Sequence, residues 1–457
     1  MLFNNNMNNK LRTTVLIITA IILNQIFFCN ANSIQVSTVD KSVLLGETVQ
    51  LNIHSTSLQT STYWPFVNGT QWGSFCTIAP NKVPSLSSCQ IQLPVPRAGI
   101  ATVQIAKLDR TWCQNEKCLF PVGKSIPAVA SENVSNIIEI NVNTRKIVGY
   151  KNSEKTVCVD WEPWFTPSNL GGKPWLKRSE GVPILGLYSS FNANVVRQHA
   201  IWFAEAGINC ILVDWSNNLW GNVSWEDRHS DIQELINATT FALNEYEAMR
   251  KEGLIATPQV VIMNGLLNGP ISTAASPKAL ETQAAWIYTN YILKFGIENF
   301  LVINGKPVLV MLDTGTTTIP NINWNISTSF TIRWMGTQLQ NNPLLGLKEG
   351  FWSWMDGTYE PIPAMVPTVK NDNDTNKKKL EVEALTVTPA FFTHGGWLDS
   401  AAAPYNNGAT FVKTMESAVK LQPKILLICQ WNEFAGQPGG PPGVFVDSYN
   451  ATLTNGM

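Results

Sequence analysis

An α/β chain, with a (β/α)8 TIM-type barrel preceded by an N-terminal immunoglobulin-like β-sandwich, is predicted by two changes of pattern along the 457 residues. From residue 33 to 145, apolar and polar residues alternate in short runs, the period of a half-buried strand. From residue 150 to 457, apolar strand-like runs alternate with amphipathic helical stretches, the order of repeated βα units. A third observation bounds the class. The 32 Lys+Arg balance 33 Asp+Glu to a net charge of −1, and 44% of residues are hydrophobic. That excludes a disordered tail protein and a nucleic-acid binder working by bulk positive charge.

Residues 1–31 read as a secretory signal peptide: a polar start with Lys10 and Arg12, an apolar run from Thr13 to Phe28, and the small Ala31 for cleavage. The rival is a single membrane anchor, but the run falls short of the ~20 residues a span requires and is broken by Asn24. Asn-x-Ser/Thr sites at Asn68, Asn133, Asn222, Asn237, Asn325, Asn373 and Asn450 agree with secretion. In an oxidising compartment Cys76–Cys89 and Cys113–Cys118 are the simplest pairs, though four cysteines permit three connectivities. Cys158, Cys210 and Cys429 lie in apolar strand-like runs and are expected to be free and buried.

In the sandwich region, Ser42 to Ile53 turns at Gly46 and then alternates, Ala98 to Ile105 repeats the pattern, and Ile137 to Val142 alternates again. Tyr63 to Phe75 reads as irregular. In the second region the candidate strands are Thr156–Asp160, Cys210–Trp215, Gln259–Asn264, Pro307–Asp313, Phe330–Trp334, Gly350–Met355, Leu385–Phe391 and Lys424–Trp431. Helical stretches are Val195–Ala206, Asp231–Lys251, Pro277–Phe295 and Ala409–Leu421. An open, doubly wound sheet is the alternative to the barrel. Lys370 to Lys379 reads as a polar surface insertion.

Function in a (β/α)8 barrel gathers at the carboxyl ends of the strands, and those ends are rich in chemistry here. They carry Asp160, Trp161 and Glu162 after the first strand, Asp214, Trp215 and Asn217 after the second, and Asn264 after the third. Arg333 ends the fifth, Trp354 and Asp356 the sixth, His394 follows the seventh, and Gln430, Asn432 and Glu433 close the last. Carboxylates supply acid, base or nucleophile, amides bond hydroxyls, and indoles stack on sugar rings. With 17 Trp, the composition fits an extensive core, a sugar-stacking cleft, or both. Parity places Cys158 with Asp160, Cys210 with Asp214 and Cys429 with Glu433 on one strand face, while Gln430 has the opposite parity and is open to pointing outward.

The run Gly186-Leu187-Tyr188-Ser189-Ser190, through His199 and Gly207-Ile208, to Val213-Asp214-Trp215 resembles a segment of glycoside hydrolase families 99 and 71. Trp431-Asn432-Glu433-Phe434 is similar to their last-strand signature, and the likeness covers roughly residues 150–440. It implies a (β/α)8 enzyme of the endo-α-mannosidase or α-1,3-glucanase type, with Glu433 as one catalytic carboxylate. The family's second carboxylate stands three residues later, where this chain has Gly436. The partner must then come from another strand, or the site is not a hydrolase of the family type.

Asp214 is the first choice of partner, because it ends a strongly apolar strand where desolvation favours the protonated acid. Glu162 is the substitute. Substrate contacts are expected from Asp160, Trp161, Trp215, Asn217, Asn264, Arg333, Trp354, Asp356, His394 and Asn432. The four histidines lack ligand spacing with one another or with Cys, so neither a metal nor another cofactor is expected.

The reading that follows is a secreted, glycosylated glycoside hydrolase whose partner is a carbohydrate substrate, with no nucleic acid and no stable membrane insertion after signal cleavage. A catalytically inactive, lectin-like carbohydrate-binding barrel and a structural surface protein are the alternatives. Oligomeric state has no signature in the sequence. The Pro/Gly-rich stretch after Glu433 predicts that the closing helix is missing or vestigial.

Overall fold

The computed structural model describes residues 34–56, 60–78, 88–108, 113–114, 117–118, 133–149, 155–165, 183–186, 188–215, 232–265, 277–312, 328–337, 350–354, 364–368, 379–387 and 409–432. The expected signal peptide, the Lys370–Lys378 stretch and the chain end after residue 432 lie outside them.

The N-terminal region forms two main β-sheets. One holds β1 (Ile34–Thr38), β3 (Thr48–Ser55) and β7 (Ser88–Pro94), all antiparallel, in the order β1-β3-β7. The other runs β2 (Ser42–Leu44), β11 (Ile138–Asn143), β8 (Gly99–Leu108), β4 (Ser61–Val67), β5 (Thr70–Gln71), with β6 (Cys76–Ile78) also paired to β4. The short strands β9 (Cys113–Gln114) and β10 (Lys117–Cys118) form a separate hairpin that sets Cys113 opposite Cys118. In β3 the inward residues Val49, Leu51 and Ile53 are fully buried between outward polar neighbours, which is why the alternation was legible. The two sheets are tied by the Cys76–Cys89 disulfide and by a 2.6 Å hydrogen bond from the Tyr63 hydroxyl to Ser55. The segment read as irregular, Tyr63 to Phe75, takes in most of β4 and all of β5. Tyr63, Trp64 and Phe66 are buried on both faces of β4, and that obscures a period of two.

The second region is α/β. Its hydrogen-bonded order is β18 (Phe351–Trp354), β17 (Thr331–Thr337), β16 (Lys306–Leu312), β14 (Gln259–Gly265), β13 (Cys210–Trp215), β12 (Thr156–Trp161), β21 (Ile425–Ile428), β20 (Lys379–Val387) and β19 (Ala364–Thr368). The pairs are parallel from β18 to β20, and β19 is antiparallel to β20. The two-residue β15 (Val302–Ile303) pairs antiparallel with β16. Helices α1 (Ala193–Ala206), α2 (Ile232–Glu252), α3 (Pro277–Ile287) and α4 (Ala409–Leu421) fall where the amphipathic runs lie. α3 continues through a π turn, Tyr288–Ile292, into a last turn at Leu293–Phe295. Helix α1 starts at Asn192, whose side chain accepts the Asn194 N–H, and stops at Gly207 in the left-handed region.

Alternate strand residues divide between two apolar clusters. Cys158, Leu212, Val261, Val310 and Met335 pack on one face, whereas Val159, Val213, Ile262, Leu309 and Trp334 join the helices on the other. Two expectations are corrected here. Cys158 and Cys210 are not free: parallel pairing sets them directly opposite, 4.3 Å apart at Cα, and they form a disulfide, while Cys429 is buried, as expected. The seventh strand begins earlier than expected, at Lys379, and pairs antiparallel with β19, so the described strands on either side of the polar stretch belong to the sheet.

The N-terminal sheets dock on α1 and α2. Gln198 donates to the Gly46 carbonyl at 3.2 Å, Arg145 pairs with Glu205, and Ser74 N–H reaches the Ile184 carbonyl at 3.0 Å. Ile147 adds two backbone bonds to the segment after α2, with Leu254 and Ala256. Beneath this seam Arg197, 5% exposed, is gripped by Glu252 through both terminal nitrogens, at 2.7 and 2.5 Å, and by Glu245 at Nε.

Candidate active site

The adjacent parallel strands β12 and β13 deliver three carboxylates to one place. Asp160 lies within β12, Glu162 follows its end, and Asp214 lies near the end of β13. The register pairs Asp160 with Leu212, which sets Glu162 beside Asp214 one step beyond the last pair, Trp161 and Val213. One oxygen from each of the three lies within 4.8 Å of the others, and all three side chains are buried, at 3%, 0% and 2% exposure. Desolvation on that scale opposes three negative charges side by side, so the cluster is suited to holding a proton or a positively charged group. Its all-oxygen donor set is also that of a hard cation site.

Two carboxamides from the end of β21 reach across to β12. Gln430 Nε2 donates to Asp160 Oδ2 at 3.0 Å. Asn432 Oδ1 accepts the Glu162 N–H at 2.8 Å, and its Nδ2 donates to the Glu162 carbonyl and the Tyr188 hydroxyl, both at 3.1 Å. Between them the Trp431 N–H bonds the Asp160 carbonyl at 2.7 Å. Sequence parity left Gln430 open to pointing outward; its side chain instead reaches the carboxylates. Tyr188 is packed edge-on by Phe165 and His199, with ring centroids 5.4 and 5.3 Å away, and His199 in turn meets Trp202, Phe203 and Trp431.

The remaining expected contacts scatter. Trp161 and Trp215 have the parity of Val159 and Val213 and belong to the helix-facing core, where Trp215 Nε1 donates to Thr239 of α2 at 2.9 Å. Asn264 also turns to the helix side, donating to Gln283 of α3 at 2.7 Å. Arg333 is buried against Glu383, with Nε and Nη2 each 2.6 Å from a carboxylate oxygen, and Trp352 Nε1 donates to the same carboxylate at 3.0 Å. These four expected sugar contacts are thus committed to core packing or internal hydrogen bonds. Trp354 ends β18 and is described by its backbone alone. Glu433, Asn217, Asp356 and His394 lie outside the described residues. The hydrogen-bonding roles of Gln430 and Tyr188 were not assigned from the sequence.

No protein-family model matches the chain, and no curated protein matches it. Among solved structures, two of the family 99 endo-α-mannosidase from Bacteroides thetaiotaomicron align at 14% identity with a TM-score of 0.41. They cover 66% and 64% of this chain, and 94% and 91% of their own. A cycloisomaltooligosaccharide glucanotransferase from a Paenibacillus species aligns at 8% identity and a TM-score of 0.20, covering 79% of this chain and 62% of its own. No residue role passes to this chain from alignments at that level.

Proposed function

We propose that the chain is a secreted glycoside hydrolase acting on a polysaccharide or glycan, with its site at the carboxyl ends of a closed (β/α)8 barrel that follows an immunoglobulin-like sandwich. The observation that carries this reading is the buried group Asp160, Glu162 and Asp214 at the ends of adjacent parallel strands, where barrel enzymes hold their chemistry. Glu433, directly after Asn432, supplies a further carboxylate at the end of the last strand.

In this reading one carboxyl stays protonated and gives its proton to the leaving oxygen, while an ionised partner attacks the anomeric carbon or activates water. Carboxyl groups about 5–5.5 Å apart favour retention, and about 6.5–9.5 Å inversion. The close approach of a Glu162 oxygen to an Asp214 oxygen, within 4.8 Å, supports Glu162 in the pair with Asp214. Glu433 and Asp214 are the alternative pair. The disulfides Cys76–Cys89 and Cys158–Cys210 support maturation in an oxidising, secretory compartment. Among the described residues no helix is long and apolar enough to cross a membrane.

A structural role without turnover is the second reading. It is favoured by the burial of Trp161, Trp215, Trp334 and Trp352, which removes those indoles from a sugar cleft. Incubating the secreted protein with α-mannans, α- and β-glucans and N-glycans, and measuring released sugars, separates the two. Release that disappears in Asp214→Asn supports the hydrolase, and no release from any substrate in the panel counts against it.

A further inference from the structure

Backbone pairing between β12 and β21 follows the sheet register as far as Val159 and Ile428, and a last amide bond joins Trp431 to Asp160. Beyond that point a side chain takes over from the ladder. Asn432 offers its carboxamide to the Glu162 peptide as a neighbouring strand would, accepting the N–H at 2.8 Å and donating to the C=O at 3.1 Å. Its second N–H ends on the Tyr188 hydroxyl, itself wedged between Phe165 and His199. Both backbone groups of Glu162 are therefore fixed by one buried residue, 0% exposed, that is anchored at a third point. Gln430, two residues earlier, holds the Asp160 carboxylate itself.

We propose that Asn432 is a positioning residue: it clamps the Glu162 backbone so that the Glu162 carboxyl meets Asp214, with Tyr188 as its anchor, while Gln430 holds the Asp160 carboxylate directly. This rests on the hydrolase reading of the site and changes the role expected of Asn432, from touching sugar to holding a carboxylate. A carboxylate on a long side chain at a strand end has several rotamers and a movable backbone. Removing the backbone freedom leaves only the side-chain torsions to be settled by packing, and a misplacement of about 1 Å in such a group costs about 100-fold in rate.

The test compares Asn432→Ala, Tyr188→Phe and the parent by amide hydrogen exchange and by kinetics on whichever panel substrate the parent cleaves. Asn432→Ala should speed exchange at the Glu162 amide at least about tenfold, by freeing a bonded N–H. It should lower kcat about 100-fold and leave KM within about threefold. Tyr188→Phe keeps both bonds to the Glu162 peptide and should lower kcat by a smaller but measurable factor, about threefold to tenfold, so it tests the clamp if the alanine variant does not fold. An unchanged kcat in both variants overturns the proposal, and so does a KM rise above about tenfold at constant kcat, the signature of a lost substrate contact. If the parent cleaves nothing, the hydrolase reading falls by itself. The clamp is then judged on the carboxyl ¹³C resonance of Glu162, assigned by its loss in Glu162→Gln. Asn432→Ala or, failing that, Tyr188→Phe must move its titration against neighbouring Asp160 and Asp214, and an unmoved titration overturns the proposal.

Discussion

Arg333 of β17 and Glu383 of β20 form a buried, two-pronged ion pair at 2.6 Å, although their strands are not neighbours in the hydrogen-bonded sheet. Trp352 of β18 joins the same carboxylate, so a single acidic side chain links three strands from the two arms of the sheet. Both partners are less than a tenth exposed, a setting in which removing one charge strands the other.

Arg333→Ala should therefore destabilise the fold by about 3–5 kcal/mol. The volume-matched pair Arg333→Met with Glu383→Leu should cost less, since no charge is left buried. It still removes the acceptor of the Trp352 indole N–H, a penalty of about 1–3 kcal/mol. Chemical denaturation of the single and double variants measures both, and a double variant no better than the single contradicts the argument.

At the seam between the two regions, Gly46 sits at a φ of 84°, and a Cβ built there falls 2.5 Å from Ile201 Cγ2. Gly46→Ala should then cost about 2–4 kcal/mol from left-handed strain and overpacking together. Adding Ile201→Ala should recover the steric part alone, visible as a positive coupling in a double-mutant cycle of denaturant midpoints.

The Arg197 clamp sets a pH dependence. Hydrogen bonding to Arg197 holds the Glu252 carboxyl below its ordinary pKa and raises that of the guanidinium. Because the folded value for Glu252 lies below the unfolded one, its contribution is complete above the unfolded carboxylate pKa. It is lost as pH falls through the depressed folded value. Unfolding free energy measured from pH 7 into the acid range should fall less steeply for Glu252→Gln than for the parent, and identical slopes would remove Glu252 from the acid response.

Glu433→Gln, Asp214→Asn and Glu162→Gln separate the candidate pairs on any substrate that the parent cleaves. Each member of the working pair should lose at least about 10²–10⁴-fold in turnover while the variant still folds. The carboxylate outside the pair should lose far less. Wild-type turnover in both Asp214→Asn and Glu162→Gln would exclude the described cluster from the chemistry.

Much of the architecture was legible because burial on one face writes itself into a period. Ala409–Leu421 and Cys210–Trp215 were read to the residue. What escaped depends on pairing partners that no local pattern contains. The Cys158–Cys210 bond needs the β12–β13 register, and the Asn432 clamp needs β21 beside β12. Trp161 and Trp215 could have been placed by the parity argument already applied to Cys158 and Asp160; their chemistry as sugar platforms outweighed it. Strands one, two and eight are neighbours when a barrel closes, an order that would put Asp160, Glu162, Asp214 and Glu433 on one side of its mouth; the structure brings the first three within reach of one another, and Glu433 lies outside the described residues.

The disulfide between Cys158 and Cys210 lies two residues before Asp160 and four before Asp214, on the strand face that carries both, with the buried Cys429 just past the end of the neighbouring strand β21. Synthesis in a host that keeps thiols reduced would leave three sulfhydryls beneath the acidic group and no covalent tie between the strands that present it. Material from a reducing cytosol and material from a periplasm or culture medium would then be two different preparations. The choice of production host thus fixes which geometry of the acidic group reaches the assay tube.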